Sequence, residues 1–385
     1  MSLLSRALRS TVALPTRSSP TLVAALLKTI APSSSIVSAA SFHTASAQLS
    51  KASSKEKASR TTKPHNEETA SATAAADGGS NARTDNSITV EYPSDDKLPS
   101  SQPIIGAGRA GVHVFPTLAT FSLQGKVGVV TGGARGLGLV MGQGMVISGA
   151  DLAIVDLNKE EAAKQAKSII NQFKKDHPEA KRSVLPKVTA HYADVSDPAS
   201  VETCIAEIVA EHGKIDNLVT SAGFTENFEA IAYPIDRMRK LWGVNVDGTY
   251  MFATAVARHL MERKSKGSMV FIGSMSGSIV NVPQPQAPYN AAKAAVRHLA
   301  ASLSVEWAKA GIRVNCISPG YMLTALTQKI LDDNPDLKKQ WTSLIPQGHM
   351  GSPEDLMGPV TFLLSDASTY VTGADLRVDG GYTVT

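Results

Sequence analysis

The sequence predicts an α/β fold, a doubly wound parallel sheet carried by a single domain over residues 121–385, and three observations predict it. Short β-branched runs alternate with longer segments of helical period from Phe121 onward. The first run, Val127-Gly128-Val129-Val130, passes through a glycine-rich turn straight into a helical segment. The second, Leu152-Ala153-Ile154-Val155, ends in Asp156, 18 residues past the last glycine of that turn.

The chain before residue 121 has a different character. Residues 1–55 hold six of the 38 Lys and Arg and none of the 34 Asp and Glu, so the remainder is net −2 although the whole chain is +4. Arg6, Arg9 and Arg17 among Leu3, Leu4, Leu8, Val12 and Leu14, in an acid-free and Ser-rich stretch, predict a mitochondrial transit peptide over residues 1–50 and a mitochondrial location. The apolar stretch 21–31 is broken by Lys28 and reaches about half the ~20 residues of a membrane span, so no membrane anchor is expected. Residues 51–120 lack periodicity and predict a disordered or extended linker. No basic stripe interleaved with aromatics is present for a nucleic acid to follow. Cys204 and Cys316 stand far apart with no His or Cys at ligand spacing, so neither a disulfide nor a metal site is expected.

The turn Thr131-Gly132-Gly133-Ala134-Arg135-Gly136-Leu137-Gly138 opens a helix that runs to about Ser148 and stops at Gly149. Missing side chains at Gly132, Gly136 and Gly138 let the backbone turn sharply, let a pyrophosphate approach the amides, and let helix and strand pack closely. Asp156 then stands where a carboxylate can accept the hydroxyls of a ribose. Gly142 and Gly144 each cost the helix about 1 kcal/mol against Ala, and are read as close-packing positions against the sheet.

A helix over residues 289–310, with Gly311 as its stop, places Tyr289 and Lys293 on one face. A strand over 268–273 precedes it and delivers Ser274 to the carboxyl edge of the sheet. Oxidising an alcohol needs a base at the hydroxyl as hydride leaves carbon. A Tyr, ordinarily protonated at neutral pH, can serve if a neighbouring ammonium and a cationic ring lower its pKa by about three units. Lys293 is that ammonium, and Ser274 is the donor that holds the substrate oxygen.

The pattern Thr-Gly-x-x-x-Gly-x-Gly together with Ser274, Tyr289 and Lys293 resembles the short-chain dehydrogenase/reductase family, with a Rossmann-type sheet. The resemblance covers about residues 121–382. It makes Thr131, Gly132, Arg135, Gly136, Leu137 and Gly138 the cofactor turn, and sets Asp194 and Val195, after a third strand over 187–194, at the adenine. At positions 220–223 the family usually has Asn-Asn-Ala-Gly; here Thr220, Ser221, Ala222 and Gly223 keep the turn without the amide side chains. Asn245 matches the asparagine that holds a proton-relay water, with a helix-bending role as the alternative. Pro319 and Gly320 turn the chain over the nicotinamide, and Thr324 binds its carboxamide or the phosphates. Counting 13 back from Tyr289 selects Ser276 as the serine, whereas alignment on the strand end selects Ser274, which is preferred, with Ser276 as a turn residue.

Residues 326–351 form a lid carrying Trp341 and His349; Trp341 either lines the substrate site or packs a helix. Residues 371–381 resemble the family's subunit-contact region, and the helices around Asn245 and Tyr289 resemble those that pair in homotetramers. Within the family, residues 274–290 and 318–321 look most like fungal polyol dehydrogenases of the D-arabinitol 2-dehydrogenase kind. Amides at Asn281, Gln284 and Gln286 suit a ligand with several hydroxyls, since each can donate and accept; the alternative is a solvated loop. The expected activity is NAD-dependent interconversion of a small polyol and its ketose, D-arabinitol and D-ribulose first among them. The alternatives are an NADPH-dependent 3-oxoacyl thioester reductase and a non-catalytic nucleotide-binding scaffold. For the cofactor, Asp156 opposes a 2′-phosphate while Arg135 attracts one. The short, fixed carboxylate is expected to dominate and select NAD.

Overall fold

Seven parallel strands make one sheet in the order β3-β2-β1-β4-β5-β6-β7. The computed structural model describes residues 116–178 and 185–385. The expected transit peptide and all but the last residues of the expected linker therefore lie outside the described residues. In chain order the elements are α1 (Pro116–Ala119), β1 (Val127–Thr131), α2 (Gly136–Ile147), β2 (Asp151–Asp156), α3 (Lys159–Asp176), β3 (Val188–Tyr192), α4 (Pro198–His212) and β4 (Asn217–Thr220). They continue as α5 (Ile235–Trp242), α6 (Gly248–Glu262), β5 (Gly267–Ile272), α7 (Ala287–Trp307), β6 (Ile312–Pro319), α8 (Ala325–Asp332), α9 (Pro335–Ser343), α10 (Met357–Leu364) and β7 (Asp375–Val378). The strand order reverses between β1 and β4, and a sheet wound in two directions opens a crevice at the carboxyl ends of those strands.

Alternation along each strand feeds two apolar layers. Val129, Leu218 and Phe271 face Phe252 and Leu260 of α6 and Val296 and Leu303 of α7. Val130, Val219 and Val270 face Met141 and Met145 of α2 and Val360 and Leu363 of α10. Because both faces are covered, the strands read as continuous apolar runs, which is why β1 and β2 were visible in the sequence. The helix stops hold as well: Gly311 adopts φ +73°, a left-handed conformation that ends α7 and its short 3₁₀ extension.

Three differences from the sequence expectation have local causes. Helix α1 falls inside the stretch expected to be linker, and the residues just after it are held to the domain: Phe121 packs on Phe362 of α10 with ring centroids 5.9 Å apart and Ala367 N donates to Thr120 O. Gly142 does pack on the sheet, where a Cβ would meet Leu152 at 3.1 Å, but Gly144 packs on α10, where it would meet Met357 at 3.0 Å. Helix α7 starts two residues before Tyr289, since Pro288 is acceptable in a first turn and the Gln286 carbonyl accepts from the Tyr289 and Asn290 amides.

Candidate active site

The crevice has one wall of backbone and one of side chains. On the first, β1 runs into the glycine turn and β4 into residues 221–223, and the two turns lean on each other. Ser221 N donates to Thr131 O at 3.2 Å and Ala222 N to Thr131 Oγ1 at 3.2 Å. Gly132 takes φ +63°, and a Cβ there would lie 2.8 Å from Ala222 Cα. A Cβ on Gly138 would stand 2.3 Å from Gly132 O. Side chains would push these two turns apart, and the amides at the start of α2, which no side chain caps, fit a pyrophosphate. Gly136 and Arg135 are exposed at the mouth, and Leu137 is half-buried.

Asp156 ends β2 with both carboxylate oxygens engaged: Oδ2 accepts from Ala134 N at 3.1 Å and Oδ1 from Asn158 N at 3.0 Å. The carboxylate is thereby tied to the glycine turn itself. Asp194, past β3, accepts from Ser196 N at 2.9 Å and Ser196 Oγ at 2.6 Å, which closes the local turn. Val195 is buried against Gly248 at the start of α6. Gly320, just beyond Pro319, admits no side chain, since a Cβ would sit 2.7 Å from Asp379 Cα. Thr324 caps α8 by accepting from Thr327 N at 3.2 Å.

On the second wall, β5 delivers Ser274 and α7 delivers Tyr289 and Lys293. The Ser274 side chain lies beside the Tyr289 phenol, where it favours the charged form of the phenol. Lys293 is buried, donates from Nζ to Ile272 O at 2.8 Å, and lies 5.6 Å from the centre of the Tyr289 ring. Burial lowers the lysine to about 8. Burial also pushes the Tyr289 phenol above its ordinary value, opposed by the neighbouring Ser274 side chain. In the protein alone, burial outweighs the lowering expected of Lys293 and the nicotinamide together: the ammonium is itself desolvated and donates to the Ile272 carbonyl. A bound nicotinamide would supply a hydride acceptor at carbon and a cationic ring beside the phenol.

Asn245 sits in a π-helical turn, Gly243–Asp247, that joins α5 to α6. Its Nδ2 donates to Leu241 O and Phe224 O, both at 3.0 Å, while its buried Oδ1 has no partner. Widened turns of this kind concentrate at functional sites. The bend and the unpaired acceptor facing Gly223 occur in the same residue, so the two readings of Asn245 are compatible.

The three amides before α7 are engaged, although the loop that carries them exposes Val280 and Val282. Asn281 and Gln286 are buried; Gln286 Nε2 lies 2.8 Å from Asn281 Oδ1, and Asn281 Nδ2 donates to the Tyr321 hydroxyl at 3.3 Å. Gln284 Nε2 reaches the same hydroxyl at 3.3 Å. Tyr321 stacks on Trp341 of α9 at 4.1 Å and 9°, and meets Tyr382 edge-on at 5.5 Å. Trp341 thus packs α9 against the loop after β6, while His349 is exposed and bonds only its neighbour's carbonyl. Ser276, expected as a turn residue, does lie in a 3₁₀ turn, but it is buried with its hydroxyl 3.1 Å from Ser274 Oγ. Tyr321 was not recognised as a site residue from sequence; its position two residues past Pro319 was the available signal.

A dinucleotide cradle at the switch point facing a Ser-Tyr-Lys set defines a nicotinamide-dependent oxidoreductase. The family model described as Enoyl-(Acyl carrier protein) reductase matches residues 132–383, and the chain belongs to the short-chain dehydrogenase/reductase family. It is similar to a D-arabinitol 2-dehydrogenase [ribulose-forming] of Candida tropicalis, 40% identical over 265 residues, covering 68% of this chain and 94% of the relative. An NADH-dependent L-xylulose reductase of Ambrosiozyma monospora is 41% identical over 270 residues, 69% of this chain and 98% of the relative. Among solved structures, a gluconate 5-dehydrogenase from Burkholderia cenocepacia J2315 in complex with NADP and tartrate superposes with TM-score 0.62 at 34% identity, over 70% of this chain and 99% of that one.

Proposed function

We propose that this protein is an NAD-preferring dehydrogenase that interconverts a polyol and its ketose, with D-arabinitol and D-ribulose as the first pair to test. The observation that carries the substrate class is the Tyr321 hydroxyl held between the Asn281 and Gln284 amides. These groups are joined to Ser274 by hydrogen bonds through Gln286 and Ser276. Groups that both donate and accept can read several hydroxyls along a carbon chain. In the reaction Ser274 holds the reacting oxygen, Tyr289 takes its proton, and Lys293 holds the cofactor ribose and keeps positive charge near the phenol. Asn245 orders the water that carries the proton onward.

The NAD preference rests on Asp156. Two backbone amides pin its carboxylate, so it cannot withdraw from a 2′-phosphate, whereas Arg135 is exposed and can turn to water. Discrimination of at least about tenfold is expected, worth about 1.4 kcal/mol. Relatives whose names include NADH and NADP both exist, so this residue and not the fold is the basis of the choice. Exposed Tyr250 and Met261 on α6 and Val305 on α7 support a homotetramer built on these helices. The acid-free leader supports import into mitochondria.

One other reading is an NADPH-dependent reductase of 3-oxoacyl thioesters; the matched family's description shares with it an acyl group carried as a thioester, though an enoyl reductase reduces a carbon–carbon double bond and not a ketone. Initial rates on a panel of pentitols, hexitols and a 3-oxoacyl thioester, with either cofactor, separate the two. Turnover of pentitols or hexitols is expected; turnover of the thioester alone would overturn the proposal.

A further inference from the structure

Gln286, Ser276 and Asn281 are neutral polar side chains more than nine-tenths buried on the segment between β5 and α7. Buried groups of this kind destabilise a fold unless they satisfy one another, and these do. Gln286 stands at the junction. Its main-chain carbonyl accepts from the amides of Tyr289 at 2.9 Å and Asn290 at 3.1 Å, so its place is tied to the first turn of α7. Its Nε2 lies 2.8 Å from Asn281 Oδ1, 3.0 Å from Asn290 Oδ1 and 3.3 Å from Ser276 Oγ. Ser276 Oγ is 3.1 Å from Ser274 Oγ, and Ser274 lies beside the Tyr289 phenol and favours its charged form.

An amide nitrogen donates and cannot accept, so the Gln286–Ser276 contact runs from Gln286 to Ser276, with the two amide hydrogens shared among Ser276, Asn281 and Asn290. With the site at rest, Ser274 donates to Ser276. When negative charge develops on the phenol oxygen or on the substrate oxygen, both serine protons must turn the other way: Ser276 donates to Ser274, and Ser274 to the charged oxygen. Gln286 keeps Ser276 Oγ in place through that reversal and polarises its O–H toward Ser274.

We propose that Gln286 is a positioning residue that acts through Ser276 to orient the Ser274 hydroxyl toward the oxygen carrying charge in the reaction. This rests on the roles proposed above for Ser274 and Tyr289. The test is a double-mutant cycle with Gln286→Met and Ser276→Ala, read by kcat and by cofactor KM on the full chain. Gln286→Met should lower kcat about tenfold, the equivalent of one lost neutral hydrogen bond, and leave cofactor KM unchanged. In the Ser276→Ala background it should cost nothing further. A second readout needs no substrate: the absorbance titration of Tyr289, taken as the difference from Tyr289→Phe, should move to higher pH in Gln286→Met. Equal losses in both backgrounds, or an unmoved Tyr289 titration, overturn the inference. If Gln286→Met does not fold, Ser276→Ala must slow turnover and Ser276→Thr recover it; equal rates in these two overturn it as well. A wild-type enzyme that turns over no polyol contradicts the function proposed above, while the titration still decides the role of Gln286.

Discussion

The two walls of the crevice are built by different means. The cofactor wall is shaped by what is missing: at Gly132 and Gly138 a single added carbon would strike backbone at 2.8 and 2.3 Å. The catalytic and substrate wall is shaped by what is present, a run of side-chain hydrogen bonds from Ser274, beside Tyr289, through Ser276, Gln286 and Asn281 to Tyr321. Backbone shape makes the first wall tolerant of which dinucleotide it holds, with Asp156 left to choose. Side-chain chemistry makes the second wall selective, and lets a change at one residue reach the others.

The comparison is sharpest if each wall is broken alone. Tyr289→Phe should lower turnover by about a thousandfold or more, because the proton acceptor is gone, while cofactor affinity measured by fluorescence titration stays within about twofold. Near wild-type rates would remove Tyr289 from the reaction. Gly138→Val should do the reverse, weakening cofactor binding about a hundredfold or more, since the branch meets Gly132 O and the turn must open. Retained affinity in that variant would mean the pyrophosphate lies elsewhere.

Lys293 gives a pH signature of the second wall. Burial holds it near 8 against an ordinary 10.5, so between these values the unfolded chain binds a proton that the folded chain has released. Stability of the cofactor-free enzyme should therefore gain a contribution as pH rises from about 8 to 10.5, on the order of 1–3 kcal/mol. Lys293→Met should flatten that part of the profile, measured as urea midpoints at pH 8 and 10; an unchanged slope would place the ammonium in water. The smallest effect is expected for Tyr321→Phe, which removes one hydroxyl from the substrate end. Polyol KM should rise about fivefold with kcat and cofactor KM nearly unchanged, and an unaltered KM would place the polyol away from Tyr321.

What the sequence revealed divides along the same line. Gly132, Gly136, Gly138 and Asp156 stand at fixed spacings within one strand-turn-helix-strand unit, so local pattern suffices to find them. Tyr289 and Lys293 are likewise local, one helical turn apart. Tyr321 is 40 residues from Asn281 and 20 from Trp341, and no periodicity links them; only the crossing of the loop after β6 over the loop before α7 brings them together. Ser276 looked like a turn residue because Ser-x-Ser-Gly is turn chemistry, and its burial depends on Gln286 reaching back from the next helix. The phenol's upward shift was equally hidden, since the sequence gives the partner Lys293 and not its commitment to Ile272 O.

The account turns most directly on Asp156, where the permissive wall is made to choose. The decisive measurement is kcat/KM for D-arabinitol oxidation with NAD and with NADP, by the wild type and by Asp156→Ser. The wild type should favour NAD by at least about tenfold, and the substitution should move the ratio toward NADP by a similar factor. Equal or better efficiency of the wild type with NADP, or a ratio that Asp156→Ser does not move, would contradict it.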